Sequence, residues 1–372
     1  MKGLRCPTRR LRKISIVSHT TPHINGIGAA TPDHDIHHAF IGWAGEQLRD
    51  DRDKAVFHRM ADRAGIEHRW SVLPKGENGG SPINPGGFYA DGMPPTSRRM
   101  QHYAAAAPRL ALNAVANLPE ELDPDSITHL VVASCTGFTA PGLDQIVARM
   151  LGLDGSIERT LVGFMGCYGA VTALRNAYHI VRSQPDARVL VITTELSTLH
   201  LQPDDALEPL LAMLLFGDGA AAAIVSAKPQ GLAMERQFAA TLPESQALIQ
   251  WHVGDTGFAM HLSGEVPGRI GDALSSDEFR GAICNGTGPD GIDSWAVHGG
   301  GRTILDAVEK GLGIAPDALA ISRDILREKG NMSSSTLMFA LERVMRGPPA
   351  ESGVAIAFGP GLAAEGFGYR SV

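Results

Sequence analysis

The chain has 372 residues, 44% of them apolar and 20% charged, with a formal net charge of −7. That length exceeds one hydrophobic core and implies two domains or fused halves. The acidic balance excludes a nucleic-acid surface, which needs a basic excess. Four scattered cysteines (Cys6, Cys135, Cys167, Cys284) form neither a disulfide framework nor a CxxC metal pair, so a reduced, cytoplasmic setting is expected.

Residues 1–13 carry Lys2, Arg5, Arg9, Arg10, Arg12 and Lys13 with no apolar stretch behind them, which reads as a flexible basic arm rather than a secretory signal. A first strand is expected over 14–18. Thr31-Pro32 then has the form of a helix cap followed by proline at the first helical position. That placement puts His34 and His38 on one helix face, beside Asp33, Asp35 and His37. Such a run suggests a metal cluster, but a polar first turn is the better reading, because zinc needs convergent ligands from elsewhere. A second helix over 54–64 carries Arg59 and Arg63 one turn apart, either a solvated pair or a phosphate-binding edge. Residues 75–95 are rich in Gly, Pro and Asn and form a long loop, a length that is usually functional or mobile. Thr96-Ser97 is expected to cap a helix running to about residue 117.

Strand and helix then alternate. A buried-type strand over 130–134 ends in Cys135-Thr136-Gly137, and a helix covers 144–151. An apolar run ends at Gly163, and Cys167 precedes a helical pattern that lasts to Pro185. Strands follow over 189–193 and 220–225, separated by Gly217-Asp218-Gly219, which also interrupts the longest apolar stretch and rules it out as a membrane span. Residues 228–231 mark a boundary, giving an N-terminal half over 14–228 and a C-terminal half over 229–372. In the second half a strand over 295–297 ends at His298, a helix follows over 303–311, and the turn 330–335 opens a helix to about 346. The strand 354–358 leads into Gly359-Pro360-Gly361. This alternation indicates an α/β layered fold with an internal pseudo-duplication.

Cys167, His298 and Asn331 each lie where an apolar strand or glycine turn meets a helix, and such strand ends converge on the ligand crevice of open α/β sheets. At a helix start, Cys167 is expected to favour its reactive thiolate form. An imidazole and a side-chain amide together can hold an oxyanion. Singly, the three could be a packed small residue, a core histidine and a helix cap. A papain-like protease would place its cysteine near the N-terminus in a different context. A lipase-like elbow would need glycine where Met165 stands. Gly26-Ile27-Gly28 lacks the third glycine of a dinucleotide fingerprint.

Five blocks carry a resemblance: Gly163-Phe164-Met165-Gly166-Cys167-Tyr168-Gly169-Ala170, Leu215-Phe216-Gly217-Asp218-Gly219-Ala220-Ala221, Val297-His298-Gly299-Gly300-Gly301, Gly330-Asn331-Met332-Ser333-Ser334 and Phe358-Gly359-Pro360-Gly361-Leu362. In order and spacing they resemble the type III polyketide synthases, the chalcone/stilbene synthase family. The resemblance implies a thiolase-like fold of two αβαβα halves in five layers, and a homodimer without metal or tightly bound cofactor. It also implies that coenzyme A thioesters, an acyl starter and malonyl-coenzyme A, are the substrates. Cys167 matches the nucleophile, and His298 and Asn331 match the pair that binds the malonyl carbonyl, with His298 also maintaining the thiolate. Phe216 matches a gate, and Arg59 and Arg63 match residues that meet coenzyme A phosphates, although a third basic position is Val56 here. Ser333 falls among the cavity residues. Met260 stands for a second gating phenylalanine, Trp251 for a cavity glycine, His200 and Cys135 for cavity threonines. These departures, with the basic arm, suggest a bacterial member with an aliphatic starter. A single-condensation ketoacyl synthase III-like enzyme and a cysteine hydrolase are the alternatives.

Overall fold

The computed structural model describes residues 20–284 and 286–372, so the basic arm and the strand expected over 14–18 lie outside the described residues. Nine strands build one sheet: β1 (His23–Ala30), β2 (His129–Ser134), β3 (Glu158–Gly163), β4 (Val189–Leu196), β5 (Asp218–Ser226), β6 (Leu232–Thr241), β7 (Ser294–Val297), β8 (Gly353–Gly359) and β9 (Ala363–Ser371). Their order is β7-β8-β9-β6-β1-β5-β4-β2-β3. Strands β2, β4, β5 and β8 are buried along their whole length. Apart from His129, Glu195 and Asp218 near their ends, they consist of apolar and small residues, as expected when both faces are covered.

The pseudo-duplication is visible in the pairing. In the first half, β2 and β4 are parallel, β4 and β5 antiparallel, and β5 and β1 antiparallel. In the second, β7 and β8 are parallel, β8 and β9 antiparallel, and β9 and β6 antiparallel. The halves join through β1 and β6. Each half also sends one helix into the shared core: Gly169–Ser183 from the first and Ser334–Arg346 from the second. Residues 334–341 are buried without a break, so that helix has no solvent face until its last turns. Under this repeat, Cys135 follows β2 as His298 follows β7, and the turn carrying Cys167 corresponds to the turn carrying Asn331.

One expected helix start moves, and at another the expected side-chain cap is not made. The helix expected from Thr31 begins at His37, because His34–Asp35 instead pairs with Trp70–Ser71 as a short strand. The N-cap residue, Ile36, offers no side-chain cap, and Asp35 Oδ1, one position earlier, accepts the N–H groups of His37 and Arg69. His34 and His38 therefore share no helix, and among the described residues no group of His, Cys, Asp or Glu could hold a metal ion. The second case is the Thr96–Ala116 helix, which no side chain caps. Thr96 Oγ1 is engaged elsewhere: it donates to Gly254 O and accepts from Gly257 N–H, tying the helix to the Ile249–Gly254/Gly257–Leu262 hairpin. No helix among the described residues is long and apolar enough to cross a membrane.

Gly28 of β1 lies against the end of that helix, where a Cβ would stand 2.4 Å from Ala114 O and 2.5 Å from Leu118 N. Both obstacles are backbone and cannot swing aside. Gly28→Ala should cost about 2–3 kcal/mol of stability by overpacking, measured as a lower midpoint in denaturant unfolding; an unchanged midpoint would contradict this packing.

Candidate active site

Cys167 sits in a one-turn 3-10 helix, Gly166–Tyr168, directly before the Gly169–Ser183 helix. The chain reverses there through left-handed residues, Phe164 at φ 57° and Gly166 at φ 72°. A Cβ on Gly166 would meet Pro360 Cδ at 2.3 Å, and one on Gly359 would meet the Tyr168 ring at 2.7 Å. The Gly359-Pro360-Gly361 turn after β8 thus presses against the cysteine turn as closely as glycine permits.

His298 follows β7, its N–H donating to Ile356 O at 2.9 Å. Asn331 is fixed by its own backbone, which exchanges hydrogen bonds with Leu215 and Gly217 around Phe216. Its side-chain orientation is determined: Oδ1 accepts from Ser333 N–H at 2.8 Å, and Nδ2 donates to Gly300 O at 3.2 Å. Cys167, His298 and Asn331 line one cavity of about 40 Å³, with Phe216, Met260 and Phe358 in its walls. The three residues are almost fully buried. His298 Nε2 has no hydrogen-bond partner among the described residues. A buried, unpaired imidazole nitrogen in a cavity with a thiol and an amide is a reactive arrangement, because ordinary core histidines are satisfied.

The resting charge state differs from the expected one. Burial pushes the Cys167 thiol up to about 12, although hydrogen bonds from Ser333 and Asn331 pull against that shift. Burial likewise lowers the His298 imidazole to about 4. Desolvation thus opposes the helix start, and both shifts favour the neutral thiol and neutral imidazole over thiolate and imidazolium.

Around this centre lies a layer of hydrogen bonds that the sequence did not reveal. Ser333 Oγ is 3.8 Å from Cys167 Sγ and 3.2 Å from Cys135 Sγ. Cys135 in turn donates to Glu195 from its N–H at 3.0 Å and its thiol at 3.3 Å. Thr136 and Ser334 also donate to Glu195, whose carboxyl burial drives upward in pKa. Burial and the neighbouring Glu195 raise the Cys135 thiol as well, and unlike Cys167 it is spent on the Glu195 carboxyl and is not among the residues lining the cavity.

Beyond Phe216 and Met260, which line both spaces, is a larger chamber of about 160 Å³. His200 and Trp251 wall it together with Phe258. His200 stacks on Phe258 at 4.2 Å, and Trp251 meets His200 edge-on at 5.5 Å while donating Nε1–H to Cys135 O at 2.9 Å. Phe258 N–H donates to His200 Nδ1 at 3.0 Å, so the ring proton is on Nε2, which donates to Thr136 O at 2.7 Å. Burial lowers His200 to about 3. The long 75–95 loop supplies the opposite wall through Ser81, Pro82, Ile83 and Tyr89.

Arg59 and Arg63 lie away from this centre, on the exposed side of the Asp51–Arg63 helix, and neither joins an ion pair among the described residues. Arg302, overlooked in the sequence, comes next to them by donating to Arg63 O at 3.3 Å.

If the imidazole takes the thiol proton, the rate of Cys167 acylation or alkylation should lose its acid limb near pH 4, where His298 protonates. An acid limb near the ordinary imidazole value would show instead that the ring is solvated.

Comparison with known proteins agrees with this geometry. Residues 14–229 match the family model "Chalcone and stilbene synthases, N-terminal domain" and residues 233–372 the corresponding C-terminal domain. Type III polyketide synthase C of Arabidopsis thaliana is 35% identical over 265 residues, 67% of this chain and 68% of that protein. The crystal structure of PKS-I from the brown alga Ectocarpus siliculosus superposes with a TM-score of 0.85 at 29% identity, covering 96% of this chain and 100% of that one. The type III domain of Steely1 from Dictyostelium (TM-score 0.84, 24% identity, 95% and 99% covered) and CsyB complexed with CoA (0.82, 23%, 94% and 100%) share the fold. A thiolase-like α/β fold, both halves of the family pattern and a buried Cys-His-Asn cavity come together in one chain: it belongs to the chalcone and stilbene synthase family and is a condensing acyltransferase of the type III polyketide synthases.

Proposed function

We propose that the chain loads an acyl starter from coenzyme A onto Cys167 and extends it by repeated decarboxylative condensation with malonyl-coenzyme A. Cyclisation then gives a pyrone, resorcinol or phloroglucinol product. The observation that carries this reading is the unpartnered His298 Nε2 sharing a small buried cavity with the Cys167 thiol and the Asn331 amide. Among the described residues no carboxylate lines that cavity. Its chemistry must therefore make a carbanion without a strong base, and loss of carbon dioxide does so.

The proton accounting closes over one cycle. His298 Nε2 takes the thiol proton as Sγ attacks the starter thioester, and coenzyme A leaves as the thiolate, to be protonated by solvent. The imidazolium N–H and Asn331 Nδ2 then hold the malonyl thioester oxygen. When the carboxylate departs as carbon dioxide, its bonding electrons become the enolate on that oxygen. The enolate carbon attacks the acyl carbonyl on Cys167 and expels Sγ, which recovers its proton from His298. The neutral resting pair is restored, and the lengthened β-ketoacyl-coenzyme A can load again. Exclusion of water protects the enolate from protonation.

Arg59, Arg63 and Arg302 would meet the coenzyme A phosphates at the surface, with Val56 leaving one family position uncharged. Phe216 and Met260 act as the partition between cavity and chamber, Met260 being the softer of the two. We read the chain as a cytoplasmic enzyme of bacterial type that needs no tightly bound cofactor. It would work as a homodimer, because Phe138 (47% exposed) and Leu161 (45%) offer an apolar patch beside the edge strand β3.

Cys167→Ala should abolish acyl loading, seen by mass spectrometry of the intact protein, while malonyl-coenzyme A still releases carbon dioxide. Asn331→Ala should slow that release by about 10²–10³, the usual cost of one oxyanion donor; release at the wild-type rate would remove the role given to Asn331. Leu161→Glu should convert the dimer to monomer in sedimentation or light scattering, and a dimer that persists would place the interface elsewhere.

A further inference from the structure

Arg69 is the most deeply buried cation of the chamber wall, 1% exposed. Its Nε donates to His37 Nδ1 at 2.9 Å, and its Nη1 donates to Phe216 O at 2.8 Å and Met213 O at 3.1 Å. The guanidinium face covers the Phe40 ring at 4.6 Å. Its remaining nitrogen, Nη2, is buried with no partner among the described residues. An unmet donor on a buried cation is costly and is kept where something completes it.

Several other polar groups of the chamber are already engaged, while Ser197, Asp204 and Trp43 also line it. Tyr89 OH donates to Thr198 O, Thr198 Oγ1 donates to Asp218, and both ring nitrogens of His200 are used. Gln202 Nε2 donates to the carbonyls of His200, Thr256 and Phe258. What the chamber offers a ligand is therefore a mainly apolar volume with the Arg69 guanidinium in its wall. A volume of about 160 Å³ suits a segment of roughly benzene size. Asp35 and Asp218 already bear on the Arg69 charge, which favours a neutral oxygen over a further anion.

We propose that Arg69 selects acyl chains that carry a neutral oxygen: the hydrocarbon fills the chamber behind Phe216 and Met260 while a hydroxyl or keto oxygen on the same chain accepts from Nη2. This rests on the polyketide synthase reading for the acyl nature of the occupant, and goes beyond it in naming the oxygen and the residue that reads it. The oxygen has two sources, a substituted starter or a carbonyl of the extended chain. Because Nη1 of the same guanidinium holds the Phe216 carbonyl, occupancy at Nη2 also bears on the partition between the two spaces.

The test uses the full-length protein, octanoyl-coenzyme A and a set of hydroxyoctanoyl-coenzyme A isomers with the hydroxyl moved along the chain. For a starter oxygen, one isomer should exceed octanoyl-coenzyme A in kcat/KM by about tenfold, the usual yield of one charge-assisted hydrogen bond, through KM rather than kcat. In Arg69→Met that ratio should fall to about one, and Arg69→Lys should restore part of it. For an oxygen on the growing chain, no isomer is preferred, but Arg69→Met changes the number of malonyl units in the product. The same ordering should appear in calorimetric binding of free hydroxyoctanoates and octanoate to Cys167→Ala protein, which needs no turnover. Extended products with neither a positional preference nor an altered extension number overturn the Arg69 assignment alone. Malonyl-coenzyme A that releases no carbon dioxide with wild-type protein overturns the polyketide reading, and this proposal with it.

Discussion

One buried carboxylate holds the reactive centre together. Glu195, at the end of β4 and fully buried, accepts hydrogen bonds from Cys135, Thr136 and Ser334. The first two follow β2 in the N-terminal half, and Ser334 begins the central helix of the C-terminal half. A carboxyl group with that burial is tolerable only when its lone pairs are met, and here donors from both halves meet them. Ser333, next to one of those donors, is thereby positioned between the two thiols.

Desolvation is the second constraint, and it acts on every titratable group near the centre. Cys167 is raised, while His298 and His200 are lowered, all first by burial. Burial thus favours the uncharged form of each of these groups. Such a site strengthens each hydrogen bond made to a developing oxyanion and leaves little water to compete. Glycines at 166 and 359 make this closure possible, since any side chain there would hold the Gly-Pro-Gly turn away from the cysteine.

The reactive triad was legible in the sequence because each member sits in a local pattern: an apolar run, small residues, then a helical repeat. Local signals survive without knowledge of the fold, and the five ordered blocks added the family. Glu195, Arg69 and Asp218 were not legible in the same way. A carboxylate or guanidinium reads as surface until the structure shows it buried, and their partners lie tens to hundreds of positions away. The misplaced helix start at Thr31 has the same origin, since His34–Asp35 pairs with the distant Trp70–Ser71 instead of joining the helix. The thiolate expectation failed for a related reason: the helix start is a local feature, whereas burial is a property of the whole fold.

His200 has a consequence for the chamber beside the centre. With one ring nitrogen accepting from Phe258, the other donating to Thr136, and protonation displaced to about pH 3, the imidazole behaves as an aromatic panel rather than an ionisable group. Acidification across the physiological range leaves its stacking on Phe258 and its contact with Trp251 undisturbed. The space available to a growing chain is in this respect a fixed mould, and selection among products would come from its contour instead of from the proton concentration outside.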